Sequence, residues 1–481
     1  MAITTPARVA HRRQIPPLRT VFHLPRLDAV TLLTFYLALT FLIPARLIVP
    51  GLGGAGRPSV LLGLGFLLWW LLSFLVPSLR SAGQQPIRGI VWTFATATLL
   101  TYGLGFARGL TGLEGRSADR YLIIVLSMTG VALLTSDGIR SRDNLDRLLL
   151  RCLWLGGFMA FVGTLQFLFH YDLVPRIHVP GLVLNQATIA IGARGPGFAR
   201  VAGTTLHYIE FGVVLALLLP IAIHYAMFCP KGPRRTARWL LALMIGANIP
   251  FSVSRAGAVS LVIVAVTLFV VWSTQVRVKS IVVGIFCMAG FKVLVPGLLG
   301  TIRSLFLNFN SDPSVQGRTN DYAAVSHFIA ERPWFGRGAG TFAPEIYRFL
   351  DNQYLMALIT TGVVGLVALL ILFGGGIVVA RSTRRFGVDA ASRHLGQAFT
   401  ASMLAAAAAS ATFDSFSFPT FMTVVFLVLG AAGALRRLAV SDPQTMAAAG
   451  PMGIPVPAYS TPKWIPKEAH IPKRGESANH S

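Results

Sequence analysis

The chain has 481 residues, 54% of them hydrophobic and only 12% charged, with a mean hydropathy of +0.65. Soluble domains carry roughly 25% charged residues, so this composition cannot cover a water-facing surface and much of it must meet lipid. The net charge of +24 does not mark a nucleic-acid binder, because Lys and Arg fall in short clusters between apolar runs. The three cysteines (Cys152, Cys229, Cys287) lack the spacing of a disulfide framework or a zinc site.

Residues 1–28 are basic but contain no apolar core, which argues against a cleaved signal peptide and predicts a cytoplasmic tail. Apolar runs of spanning length then follow at 29–48, 59–79, 87–107, 119–136, 149–171, 207–228, 238–252, 256–274, 280–300, 352–380, 394–412 and 416–435. A helix needs ~20 residues to cross ~30 Å of hydrocarbon, and only a helix satisfies its own backbone there. The expected fold is therefore all-α: a polytopic membrane bundle of about twelve transmembrane helices over 29–437. Short basic loops such as Lys231/Arg234/Arg235/Arg238 and Arg381/Arg384/Arg385/Arg393 alternate with less basic ones. By the positive-inside rule both termini are cytoplasmic, as suits a bacterial inner-membrane protein. The tail 438–481, rich in Pro, Ala and Lys, reads as disordered.

Two outward loops are long, 172–206 and 301–350, and loops beyond ~12–15 residues are usually functional or disordered. In the second, Tyr322, Val325, Phe328 and Ile329 recur at helical spacing before Pro333, which predicts a surface helix within a small outward subdomain. Apart from Lys292, ionisable residues avoid the middles of the spans. Arg200, His207, Glu210, Arg255, Asp351 and Asp414 lie at outer helix ends, a placement that suits chemistry at the interface better than transport. Arg255 sits in the tight turn Ser252-Val253-Ser254-Arg255-Ala256-Gly257 at the start of a span, where the helix dipole favours an anion. Interfacial snorkelling explains a lone Arg equally well. Arg303, Arg318, Arg332, Arg337 and Arg348 add guanidinium forks suited to phosphate oxygens, although Arg303 and Arg348 read better as headgroup anchors. The stretch Gly336-Arg337-Gly338-Ala339-Gly340 reads as a flexible turn. No Walker A run, Cys/His cluster, Gly-x-Ser-x-Gly elbow or Asp-x-Asp pair occurs, so nothing calls for a metal or a soluble cofactor.

Five segments in order resemble the O-antigen ligase/polymerase superfamily: Arg200 to His207, Ser254 to Gly257, Gly317-Arg318 through Glu331 to Phe342, Asp351 to Leu355 followed by Thr361 to Gly365, and Phe413 to Pro419. The resemblance covers about 200–420; earlier spans share only topology. It implies transfer of a glycan from a polyprenyl diphosphate carrier to an acceptor sugar hydroxyl, on a glycolipid or on another glycan, at the outer face of the membrane. Carried over, Arg200 and Arg255 bind the diphosphate and stabilise its leaving charge, and Arg318, His207, Glu210 and Arg337 join the substrate pocket. Where ligases show His-Asn this chain has Asp351-Asn352. Asp351 then serves as general base with Asn352 orienting the hydroxyl, helped by a neighbouring carboxylate such as Glu345, or else caps the helix, and the two roles are compatible. The departure leaves polymerase at least as open as ligase. A transporter or flippase of lipid-linked saccharide is the alternative, and a non-catalytic scaffold a third reading. A separate flippase or chain-length regulator would be a natural partner.

Overall fold

The computed structural model describes residues 28–75, 85–185, 193–194, 198–307, 324–386 and 389–441. Most of both terminal tails, together with Arg318 and Tyr322, lies outside the described residues. The described residues are mostly helical: α1 Ala29–Phe41, α2 Pro58–Leu72, α3 Pro86–Ala107, α4 Gly112–Gly138, α5 Arg142–Leu168, α6 Tyr208–Met227, α7 Pro233–Phe251, α8 Arg255–Phe269, α9 Thr274–Leu294, α10 Leu298–Leu307, α11 over 324–331, α12 Gln353–Phe386, α13 Ala390–Ser410 and α14 Pro419–Val440. Seven segments, Pro58–Leu75, α3, α4, α5, α6, α12 and α14, are long and apolar enough to cross a membrane, and α1 and α8 are shorter apolar helices.

Local chemistry sets the helix starts. Asp28, Ser141 and Ser254 accept hydrogen bonds from the first turns of α1, α5 and α8, and proline opens α2, α3, α7 and α14. Thr111 and Glu114 form a reciprocal capping box on α4. A helix that is apolar all round must be surrounded by other helices or by lipid. Both outcomes occur: α6 and α14 are buried along most of their length, whereas α2 and α3 keep wide exposed faces. Lys292 lies in the last turn of α9, not at mid-span, and is exposed.

The structure refines the reading of 352–380. Inside α12, Gly362 takes φ +63° and ψ −163°, so the helix is broken there. The break is filled by the loop that follows α11. The N–H groups of Arg337 and Gly338 donate to the carbonyls of Ile359 and Thr360 (2.9 and 2.8 Å), and those of Val363 and Val364 donate to Pro333 and Trp334 (2.8 and 3.1 Å). A broken helix is tolerated in a bundle when other backbone supplies the lost bonds. The approach requires glycine on both sides, because a Cβ on Gly362 would fall 2.4 Å from the Trp334 carbonyl and one on Gly336 2.5 Å from that of Thr360. The stretch after Pro333 is thus an inserted splint, not a loose turn. Val325, Phe328 and Ile329 of α11 pack with Phe342, Leu350, Leu355 and Ile359 in a small core of their own.

The loop 172–206 is tied down by a two-residue antiparallel pairing of Leu47–Ile48 with Val183–Leu184. Where α4, α8 and α14 end, Arg88 pairs with Asp137 (2.8 Å), Arg437 donates to the carbonyls of Ser136 and Ile139, and Gln397 donates to the Thr267 carbonyl.

Candidate functional site

At the opposite end of the bundle α2, α4, α6, α8, α12 and α14 all begin. Glu210, in the first turn of α6, accepts from Thr420 and Phe421 at the start of α14 (2.8 and 3.2 Å) and from Leu206 (2.9 Å). Gly212 and Gly257 let α6 and α8 touch, a Cβ on Gly257 lying 3.3 Å from Gly212 Cα. The Gln353 side chain accepts from Phe416 N–H (2.8 Å), seating the segment before α14 on the start of α12. The buried Arg57, preceding α2, donates to the Ala45 carbonyl (2.8 Å), and Ala45 N–H donates to Thr204, just before α6. Tyr347 donates to Glu114 of α4 (2.7 Å). The first N–H groups of a helix lack intrahelical partners and its dipole is positive there, so converging starts form an anion-attracting end.

Arg200, His207 and Arg255 lie on this end. The Arg200 guanidinium donates to the Tyr208 hydroxyl and lies 4.4 Å from that ring's centre. His207 caps α6, its Nδ1 accepting from Ile209 N–H at 3.3 Å, which leaves the proton on Nε2. Burial, then the charges of Arg200 and Arg46, hold its imidazole down at about 4, so it is neutral in a positive field. Arg255 opens α8, one residue after the Ser254 cap. The turn before it is strained: Val253, a β-branched residue, has φ +44°. Such outliers persist where the surroundings over-determine them, and they cluster at functional sites.

Asp414, between α13 and α14, and Asp351, just before α12, lie close enough for their charges to interact. Asp414 is pushed up to about 6, chiefly by burial and further by the charge of Asp351, against a hydrogen bond from Ser417. Glu345, the neighbour expected for Asp351, is exposed, so Asp414 takes that place. Asn352, not Asp351, caps the helix: its Oδ1 accepts from Tyr354 and Leu355 N–H at 3.0 and 3.1 Å. Phe418 bridges the two groups of residues, its ring 6.0 Å from that of His207 and 5.4 Å from that of Phe413.

Two candidates are engaged in the frame. Both oxygens of the buried Glu210 are occupied by backbone N–H groups, so it braces helix starts. Arg337 lies between Glu331 (3.3 Å) and Glu114 (3.9 Å), bonds Tyr347, and stacks near Phe328, in a separate cluster with Arg108. Arg46 and Arg57 were not singled out from the sequence, since nothing in a short turn between two spans reveals a contact with residues 200–210. Asp414 was visible at a helix end, but its pairing with Asp351 was not.

An apolar bundle whose helix starts converge with arginines on one end defines a multi-pass membrane protein able to receive an anionic group. Residues 239–370 match the family model described as O-antigen ligase. The matched stretch contains Arg255, Arg318, Arg337, Asp351 and Asn352; Arg200, His207, Glu210 and Asp414 lie outside it. None of the curated proteins compared with the chain matches it.

Proposed function

We propose that the protein transfers a glycan from a polyprenyl diphosphate carrier to an acceptor sugar hydroxyl, on a glycolipid or a growing glycan, at the outer face of the inner membrane. The observation that carries this reading is the convergence of six helix starts on the end that bears Arg200, Arg255 and the interacting carboxylates Asp351 and Asp414. The end bearing Arg88, Arg142, Arg384 and Arg437 faces the cytoplasm, in keeping with the positive-inside rule, and so do both termini.

In the reaction the acceptor oxygen attacks the anomeric carbon, the bond from that carbon to the diphosphate oxygen breaks, and the lipid diphosphate leaves with the electron pair. Arg200 and Arg255 meet the charge that develops on it, so the step needs no added metal. The resemblance adds Arg318, which lies outside the described residues. The hydroxyl proton passes to Asp351, and Asp414 raises the basicity of the pair, since two adjacent carboxylates resist being ionised together. Asn352 holds the turn on which Asp351 sits. A flippase would deliver the donor, and a chain-length regulator would act on a polymerase.

The test is to incubate purified protein with a polyprenyl diphosphate-linked oligosaccharide and acceptor glycan, with EDTA present, and follow free polyprenyl diphosphate. Acceptor-dependent release that fails in Arg255→Ala and Asp351→Ala is the expected result. No release by folded protein across donors and acceptors favours the transporter alternative.

A further inference from the structure

Arg57 stands at the outer end of the bundle, one residue before Pro58 opens α2, and is only 6% exposed. A buried charge ordinarily has a paired counter-charge. Here the Nε donates to the Ala45 carbonyl (2.8 Å), and among the described residues neither Nη group has a hydrogen-bond partner or an ion pair. The carboxylate whose charge it feels, Glu210, already gives both oxygens to backbone N–H groups. Burial draws the guanidinium down to about 10, so it is still a cation at neutral pH.

Arg57 lines a cleft between the end of α1 and the starts of α2 and α14, with Thr40, Ala45, Ser59, Pro419 and Thr420. Neither Nη is sealed in protein, so the fork opens into this space. The Ser59 hydroxyl is likewise without a partner among the described residues, although Ser59 is only 5% exposed. Pro58 and Pro419 open α2 and α14, and both helices turn the positive ends of their dipoles to the cleft. It has room for little more than one water-sized group. That is too narrow for a diphosphate and sufficient for the end of a carboxylate. The cleft adjoins the site already described, since Thr420 shares Glu210 with Leu206, which precedes His207.

We propose that this cleft binds a carboxylate carried on the glycan, gripped by the Arg57 fork with the Ser59 hydroxyl as a further donor. A guanidinium matches a carboxylate both in charge and in plane. Arg57 then selects saccharides with an acidic sugar, at a subsite beside the reacting one. That the ligand is a glycan rests on the transferase reading; that the cleft takes a carboxylate does not.

Two measurements on full-length protein test this. The first is thermal unfolding in detergent with sodium glucuronate or with glucose, at equal ionic strength. Glucuronate alone should raise the melting temperature, and the shift should vanish in Arg57→Gln but persist in Arg255→Ala. Ser59→Val, which keeps the charge and narrows the cleft, should lose the shift too and guards against a misfolded Arg57 variant. No shift in wild type, or an equal shift in both cleft variants, overturns the site.

The second compares transfer of matched saccharides that differ only in one carboxyl reduced to a hydroxymethyl group, placed once in the donor and once in the acceptor. In one arm kcat/KM should favour the acidic form by about tenfold or more, the scale of one charge-assisted hydrogen bond. The preference should disappear in Arg57→Gln, and the arm that shows it assigns the carboxylate to donor or acceptor. Preference in neither arm, or preference that survives Arg57→Gln, overturns the subsite. Transfer without glucuronate binding removes the cleft and leaves the enzyme, whereas binding without transfer does the reverse.

Discussion

Glu210 of α6 and Thr420 of α14 are joined by a 2.8 Å hydrogen bond from the Thr420 N–H to a carboxylate that is wholly buried. The same carboxylate serves Phe421 and Leu206, so three backbone donors near two helix starts depend on it. Removing the acceptor leaves those donors unpaired in an apolar bundle. Glu210→Ala should cost about 3–5 kcal/mol, the range for breaking a buried charged contact, and Glu210→Gln less, since one carbonyl oxygen remains. Thermal unfolding in detergent should rank wild type above Gln and Gln above Ala.

Gly362 has no room for a methyl group and a φ that L-residues resist. Gly362→Ala should displace Trp334 and lower stability by more than the ~1–2 kcal/mol of the backbone conformation alone. Gly374→Ala, in the same helix where an added Cβ meets nothing within 4 Å, should be neutral or slightly stabilising. Trp334 fluorescence and unfolding midpoints distinguish the two.

Asp414 is ordinarily a carboxyl of 3.8 and here stands at about 6. Because the folded state holds the proton more tightly, its contribution to stability is fullest below the unfolded value and declines as pH rises from about 4 to 6. Transfer, which needs the pair able to accept a proton, should climb over the upper part of that window and level above it. At pH 7.5, Asp414→Asn should keep or raise the melting temperature while transfer falls on the order of 10²-fold. A loss of both together would assign Asp414 to the frame.

Arg255→Ala should lower kcat/KM by about 10²–10³, the usual loss when a preorganised donor to developing charge is removed. Arg255→Lys should recover only part of this, because an ammonium cannot grip two oxygens of one phosphate.

His207 reports on the field. Its imidazole is held at about 4 partly by Arg200 and Arg46. An anion bound at this end cancels those charges and must raise the value, so inorganic diphosphate should move the imidazole titration toward higher pH in histidine-labelled protein. An unchanged titration would place the anion elsewhere.

The spans were readable because an apolar run such as 207–228 has few alternatives to a helix, and α11 because Val325, Phe328 and Ile329 share one helical face. The break in α12 was not, since Thr361-Gly362-Val363 sits inside a run as hydrophobic as any other and the splint lies some 25 residues away. The candidate site followed the same division. Polar residues at helix ends could be picked out one at a time, but which would meet depended on bundle packing. Asp351 and Asp414 come together only because α12 carries the chain across and α13 brings it back, and Asn352 takes the cap because the helix starts one residue later than its apolar pattern suggests.

The splint has a consequence for biogenesis. The run 363–386 can enter the bilayer as soon as it leaves the ribosome, but the short helix 353–361 ahead of it stays incomplete until residues 333–338 come back to supply its missing bonds. Integration and maturation are then successive events. A lesion at Gly336 would yield a chain threaded through the membrane with every span in place and its outward surface unassembled, abundant in the envelope yet inert.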